Sequence, residues 1–340
     1  MPAPGDSVVL VTGGSGFAGQ HLLQKLGAGS HCLLHATYMG AEPNTQDVDD
    51  VTWHSLNIVD RSAVNQLLSE LRPDVIFHLA AQSHVPTSWM FPDATWAVNL
   101  EGTRHLLDAA RSWCPDGLFI NIASSDIYGA TFIDCPIVTE ASPLLPMNPY
   151  AASKAAADLA AYQASYGAEL KIIRVRPFNH SGPGQSDSFV LPGFAAQIAC
   201  IEAGLLPPVI KVGNLQAERD FLHVDDVARA YVLLMEAAER IESGSVFNVA
   251  SGQSLRIEDL LLGLLSRSKL VINVEADVSL SRPSDILRVC GSADLLAEVT
   301  GWRPCRDVHY LLDDVLAHWR KAVSEDGIEI VKRYSNNPSG

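Results

Sequence analysis

The chain has 340 residues, 47% apolar and 19% charged, as in an ordinary globular protein, and its length suits one large α/β unit plus a smaller lobe. Lys and Arg number 24 against 39 Asp and Glu, a formal charge of −15 that argues against a nucleic-acid surface or an anionic membrane surface. No uncharged apolar run reaches the ~18 residues of a membrane span. The opening Met1–Asp6 has neither the basic nor the apolar region of a signal peptide. The six cysteines (Cys32, Cys114, Cys135, Cys200, Cys290 and Cys305) and 11 histidines show no metal-ligand spacing, so a metal-free cytoplasmic protein with reduced thiols is expected.

Taken in order, Ser7–Val11 reads as a buried strand running into Thr12-Gly13-Gly14-Ser15-Gly16-Phe17-Ala18-Gly19, a glycine-rich turn that opens a helix. Glycines 13, 16 and 19 fit a dinucleotide site. The first allows a tight turn, the second lets amides approach a pyrophosphate at the positive end of the helix, and the third allows close helix packing. A second strand is expected near Cys32–Ala36. At its end an acid would favour NAD and an arginine NADP; Thr37 and Tyr38 are neither, which leaves the cofactor choice open.

Val51–Leu56 reads as a strand, Arg61–Leu71 as a helix and Asp74–Ala81 as a buried strand. A long helix is expected from Pro92 to Arg111, and a strand over Gly117–Ala123. This alternation predicts a Rossmann-like, doubly wound parallel sheet with helices on both faces, binding its ligand at the carboxyl ends of the strands. The loops Gln82-Ser83-His84, Ser124-Ser125-Asp126 and Asn179-His180 fall on that edge. Cap or turn chemistry would explain any one of them, whereas their shared placement favours function.

Pro149 suits a first helical position, and the Ala-rich run through Ala164 is strongly helix-forming. Tyr150 and Lys154, four apart, then share a face. An ammonium that close is expected to lower the phenol pKa toward working pH, so that Tyr150 can exchange a proton with a substrate oxygen.

Beyond a strand over Glu169–Val175 the pattern loosens. Ser181–Ser186 reads as a flexible loop, Phe189–Ala203 as a helix and Pro208–Val212 as extended. A helix follows from Asp225 to Glu239, then a strand over Val246–Val249. Helices are expected over Arg256–Leu265, Ala293–Thr300 and Asp307–Val323. A dinucleotide-binding domain is read over 1–178 plus 222–250, a smaller α/β lobe that closes over the sheet edge over 179–221 plus 251–332, and a frayed tail over 333–340.

The glycine-rich turn, the serine-containing loop and Tyr-x-x-x-Lys, in this order, resemble the extended short-chain dehydrogenase/reductase family (the NAD-dependent epimerase/dehydratase group), whose members act on nucleotide-linked sugars. Within it, the stretches Arg174–Gln185, Val209–Phe221 and Arg282–Ile286 are similar to those of GDP-4-keto-6-deoxy-D-mannose reductases, which make GDP-D-rhamnose. GDP-mannose 4,6-dehydratases are the nearest alternative, and a non-catalytic NAD(P)-binding sensor on the same fold is a remote one. The resemblance implies NADH or NADPH as cofactor, a GDP-linked 4-keto-6-deoxyhexose as substrate, and a homodimer through helices 92–111 and 149–166.

Residue by residue, the resemblance implies that Ser124 hydrogen-bonds the substrate oxygen, that Tyr150 donates the proton, and that Lys154 holds the nicotinamide ribose. Asp126 stands where dehydratases place a glutamate. The cofactor would be contacted by Gly13, Gly16, Phe17, Ala18, Gly19, Thr37, Asn57, Ile58, Leu79, Ala80, Ala81, Asn99 and Pro177 besides Tyr150 and Lys154. Asn57 replaces the usual aspartate. Asn179, Arg219 and Arg282 would grip the diphosphate, with Asp285 on the nucleoside side. Ser83, Ser125 and Asp126 would face the hexose, and Lys211, Gly213 and Asn214 would lie near the guanine. Arginine forks match phosphate oxygens, and in so acidic a chain such local cations are needed.

Overall fold

The computed structural model describes residues 7–29, 32–41, 50–166, 170–277 and 286–335. Seven strands form one parallel sheet: β1 (Val8–Thr12), β2 (Leu33–Tyr38), β3 (Val51–Ser55), β4 (Val75–His78), β5 (Leu118–Ile122), β6 (Lys171–Pro177) and β10 (Val246–Val249). Their order is β10-β6-β5-β4-β1-β2-β3, every neighbouring pair parallel. Strand order reverses between β1 and β4, the switch point at which such sheets open a crevice for ligands. β4 and β5 are buried along their whole length, as a sheet covered on both faces requires.

One face is covered by α1 (Phe17–Gly29), α9 (Val224–Glu236) and α11 (Asp294–Thr300). There Leu22, Leu23 and Leu26 meet Val227, Tyr231 and Leu234, and the core extends to Leu296 and Trp302. The other face carries α2 (Arg61–Leu71), α5 (Gly102–Trp113) and α7 (Pro149–Ala164). Its core joins Val64, Leu68, Leu106 and Ala161 to the strand residues Leu10, Ile76, Phe119 and Ile172. The local signals behave as their chemistry dictates. Asp60 caps α2 by accepting from the Ser62 and Ala63 amides, and Asn148 caps α7 by accepting from Ala151 with Pro149 as first helical residue.

A separate core gathers α8 (Val190–Glu202), α10 (Ile257–Leu265) and α12 (Val308–Ser335) around Phe194, Ile198, Leu264, Leu312, Val315 and Trp319. Beside it lie two small sheets. One is β11-β9-β7 (Ser254–Arg256, Glu218–His223, Asn179–Ser181); the other is β12-β8 (Asn273–Ala276, Val209–Val212).

Several elements differ from the sequence expectations. The long helix over 92–111 is broken into α4 (Pro92–Trp96), a π-helical turn (Ala97–Glu101) and α5, and α3 (Val85–Met90) precedes it. A π turn inserts one residue into the ladder, which periodicity does not register. A 3-10 turn (Ser125–Tyr128) and α6 (Thr131–Asp134) are too short for a periodic signal. Ser181 lies in β7 instead of a loop, and β9 went unread because both strands pair only across the chain, Asn179 with Phe221 and Ser181 with His223. The expected tail begins too early, since α12 continues through Ser335. Glu169, read as the start of a strand, lies outside the described residues.

Candidate active site

The carboxyl ends of β1, β4, β5 and β6 share one edge, and each delivers a predicted segment there. After β1, Gly13 turns with φ +70°, and a Cβ on it would stand 2.7 Å from the Ala80 amide nitrogen, so only glycine lets this turn lie against Leu79–Ala81. Gly19 packs harder still, with room for no Cβ within 2.4 Å of the Gly13 carbonyl oxygen. Gly16 is exposed just before α1; its own amide donates to the Gly13 carbonyl at 3.0 Å, and it puts no side chain in front of the positive end of the helix dipole. Phe17 opens α1 with its ring stacked on His180, 6.0 Å between centroids, and Ala18 is half-buried beside it. This cradle, closed to side chains and open to backbone amides, fits a dinucleotide pyrophosphate.

Other predicted cofactor contacts have different positions. Thr37 is buried and its hydroxyl accepts from the Gly13 amide at 3.0 Å, so it supports the turn from below. Ile58 is buried against α5, where Gly102 makes room for it. Asn57 is exposed and accepts from the Val59 amide. Pro177 is buried at the end of β6, beside Val249. Asn99, in the π turn, is 1% exposed and clamps the loop after β4. It accepts from the Gln82 amide at 2.8 Å and donates to the Gln82 carbonyl and the Ser153 hydroxyl. Asn99 and Ile58 thus support the backbone around the expected cofactor cleft.

At the end of β5, Ser124 caps the 3-10 turn by accepting from the Asp126 amide, and its side chain hydrogen-bonds the Tyr150 phenol. Tyr150 and Lys154 are both buried on the inner face of α7. The expectation of an acidified phenol is overturned. Burial pushes the Tyr150 phenol well up, the Asp126 carboxylate adds to the rise, and the Ser124 hydrogen bond opposes it. Lys154 instead donates its ammonium to the Ile122 carbonyl oxygen. Burial lowers Lys154 to about 8, against the pull of Asp158 one turn on. The site thus holds a protonated phenol hydrogen-bonded to a hydroxyl with a carboxylate nearby: a proton is present to be given, although burial makes the group a weaker acid than a free phenol.

Beneath α7 the sheet presents polar side chains that sequence reading passed over. Thr12, His78, Asn121 and Arg174 stand side by side across β1, β4, β5 and β6. His78 bonds the hydroxyls of Thr12 at 2.8 Å and Thr103 at 2.9 Å, and burial with the Lys154 charge lowers it to about 3, so it is neutral. Thr103 donates to the Asn99 carbonyl, which makes His78 Nε2 the donor and Nδ1 the acceptor. A polar residue inside an apolar strand was the available signal, since buried polar groups find partners.

The substrate-side residues divide. Asn179 on β7 and Arg219 on β9 share one face of their small sheet, because Asn179 pairs with Phe221 two residues beyond Arg219. The Arg219 guanidinium donates to the carbonyls of Glu218 and Ile286, both at 2.8 Å. Ser83 is exposed, whereas Ser125 is 2% exposed within the 3-10 turn. Lys211 is exposed on β8, and Gly213 and Asn214 are half-buried in the turn after it, where Asn214 accepts from the Gln216 amide. Arg282 and Asp285 lie outside the described residues.

The sequence profile of the family described as GDP-mannose 4,6 dehydratase matches residues 10–315. The chain belongs to that family. Among the members and neighbours of the GDP-mannose 4,6-dehydratase family, the GDP-6-deoxy-D-mannose reductase of Pseudomonas aeruginosa is 35% identical over 319 residues, covering 94% of this chain and 99% of that protein. GDP-mannose 4,6 dehydratase 2 of Arabidopsis thaliana is 28% identical over 348 residues, 96% of this chain and 88% of that protein. The structure of RMD from Pseudomonas aeruginosa complexed with NADPH superposes with a TM-score of 0.80 at 34% identity, over 93% of this chain and 100% of that one.

Proposed function

We propose that this protein reduces the C4 ketone of GDP-4-keto-6-deoxy-D-mannose to GDP-D-rhamnose with NADH or NADPH. The observation that carries the reading is the Tyr150 phenol hydrogen-bonded to Ser124 at the end of β5, in a chain 35% identical over 94% of its length to a GDP-6-deoxy-D-mannose reductase. Reducing a ketone consumes a proton, which such a phenol supplies. Dehydration of the parent sugar begins by taking a proton from the C4 hydroxyl, work for a phenolate. The identity to a named reductase, higher than to the Arabidopsis dehydratase, supports the same choice.

When bound, the reduced nicotinamide supplies hydride to the ketone carbon. The chain does the rest. Gly13, Gly16 and Gly19 shape the turn that receives the pyrophosphate, with Leu79–Ala81 as its neighbouring wall. Lys154 holds the nicotinamide ribose with its charged ammonium. Ser124 donates a hydrogen bond to the C4 oxygen as negative charge gathers there, and Tyr150 gives that oxygen its proton. Asn179 and Arg219 hold the diphosphate, with Lys211, Gly213 and Asn214 toward the base.

Purified protein incubated with GDP-4-keto-6-deoxy-D-mannose should oxidise NADH or NADPH one for one with a sugar identified by NMR as rhamnose. Conversion of GDP-D-mannose to the keto sugar with no net cofactor change would replace this reading by the dehydratase one. Asp126, electrostatically coupled to Tyr150 as a dehydratase acid would be, is the observation that keeps the second reading in view.

The protein further acts as a homodimer in a reducing cytoplasm. Leu159 and Tyr162 on α7 and Tyr166 just beyond it are exposed, as are Trp89, Met90 and Trp96 on α3 and α4, which pack against α7, and Phe91 between those two helices. Neighbouring large apolar side chains of this kind mark an interaction surface. All six cysteines are free thiols, as a reducing compartment maintains them. A monomeric mass at micromolar concentration would remove the dimer.

A further inference from the structure

We propose that Asp158 is a positioning residue for the Tyr150–Lys154 pair, locking α7 to β6 and to the Ser124 turn through one buried chain of charges and setting the charge balance around Lys154. Asp158 follows Tyr150 and Lys154 at the same four-residue spacing and is 0% exposed. Its Oδ2 accepts from Arg174 at 2.9 Å and from Arg176 at 2.7 Å. Arg174 continues to the Gly244 carbonyl, next to the β10 edge. Arg176 donates to the Tyr128 hydroxyl at 2.9 Å and to the Glu140 carbonyl, and Tyr128 donates to Asn248 Oδ1 at 2.7 Å.

Tyr128 closes the 3-10 turn that Ser124 caps. The chain Asp158–Arg176–Tyr128 therefore joins the helix carrying Tyr150 and Lys154 to the turn carrying Ser124 and Asp126. Stability alone is a poor account of it. Two guanidiniums and one carboxylate out of water cost more than well-packed apolar side chains, and Asp158 Oδ1 has no hydrogen-bond partner among the described residues. What the arrangement provides is fixed geometry between two elements that must meet at one substrate oxygen.

The charged and titratable groups around Lys154 are His78 on β4, Tyr150 and Asp158 on α7, and Arg174 and Arg176 behind Asp158. Among them Asp158 favours the ammonium form and burial opposes it; the two guanidinium charges behind Asp158 are like charges, and by Coulomb's law they oppose it as well. Asp158→Asn and Arg174→Gln must then act on Lys154 in opposite directions, which loss of packing alone would not do.

The kinetic part rests on the proposed reductase reaction; a second readout does not. With only seven lysines in the chain, uniform lysine ¹³Cε labelling, with Lys154→Met to assign the signal, follows the Lys154 titration by NMR. The Lys154 midpoint should fall in Asp158→Asn and rise in Arg174→Gln, each by roughly half a pH unit or more. In Asp158→Asn, kcat should drop ~10-fold or more with KM for the nucleotide sugar little changed, as loss of alignment does. Thermal melts identify variants that do not fold; if Asp158→Asn is one of them, Arg174→Gln decides. A Lys154 midpoint that stays put in a folded variant, or an undiminished kcat in folded Asp158→Asn, overturns the proposal. A wild-type protein without reductase activity but with opposed NMR shifts would overturn the proposed reaction and leave the Lys154 charge balance standing.

Discussion

Lys154 gives its ammonium to the carbonyl oxygen of Ile122, the last residue of β5, and so ties α7 to the strand whose end carries Ser124. Both are buried, and the ammonium is easier to discharge there than in water.

That sets the pH profile. Lys154, lowered to about 8, must stay charged to work, while the Tyr150 phenol, pushed well up, stays protonated throughout. The rate constant kcat/KM, which reports the free enzyme, should be level below pH 8 and fall above it. A profile flat to about pH 10, the range of an ordinary lysine, would contradict this assignment.

Stability has the opposite sign. Lys154 titrates lower in the folded chain than its ordinary 10.5, so between about 8 and 10.5 the unfolded chain binds more protons and this group's contribution to stability rises with pH. Below pH 8 its destabilisation is complete. Lys154→Met should therefore be inactive yet melt no lower than the wild type at pH 7, a trade of stability for function. A clear drop in Tm at pH 7 would show that the bond to Ile122 outweighs the burial cost.

Tyr150→Phe removes the proton donor and relieves no strain. Turnover should fall ~100-fold or more, with nucleotide binding retained by calorimetry. Near-normal turnover would take Tyr150 out of the mechanism.

Gly13→Ala places a methyl against Ala80 in a φ +70° backbone. The strain, of order 1–3 kcal/mol, falls on the turn that receives the pyrophosphate. Cofactor affinity, read by fluorescence titration of NADH, should drop more than ~10-fold, as displacement of the turn by that energy requires. Affinity equal to wild type would mean that the turn does not hold the dinucleotide.

Cofactor choice follows from charge. At the end of β2, Thr37 accepts from the Gly13 amide, and neither Thr37 nor Tyr38 is a cation. A 2′-phosphate needs a cation there, so NADH should be used better than NADPH, although the related RMD structure holds NADPH. Tyr38→Arg should improve kcat/KM for NADPH by ~10-fold, about one added charge-assisted contact. A wild-type preference for NADPH would refute the charge reading.

Much of the architecture was legible in the residues. Alternating apolar runs and caps such as Asp60 and Asn148 predicted the parallel sheet and most of its helices, because both act over a few neighbouring residues. The glycine turn and the pairing of Tyr150 with Lys154 on one helix face were readable for the same reason: backbone conformation and i, i+4 spacing are local. What Tyr150 and Lys154 do to each other was not readable. Whether an ammonium meets a phenol or a carbonyl depends on Ile122, 32 residues away in sequence, and whether a phenol is acidified or protected depends on its burial. Asp158, Arg176 and Tyr128 look unrelated in the chain, and β7 and β9 have no periodic signal. They become a site only when the sheet brings them together, since charge, burial and strand pairing are properties of neighbours in space.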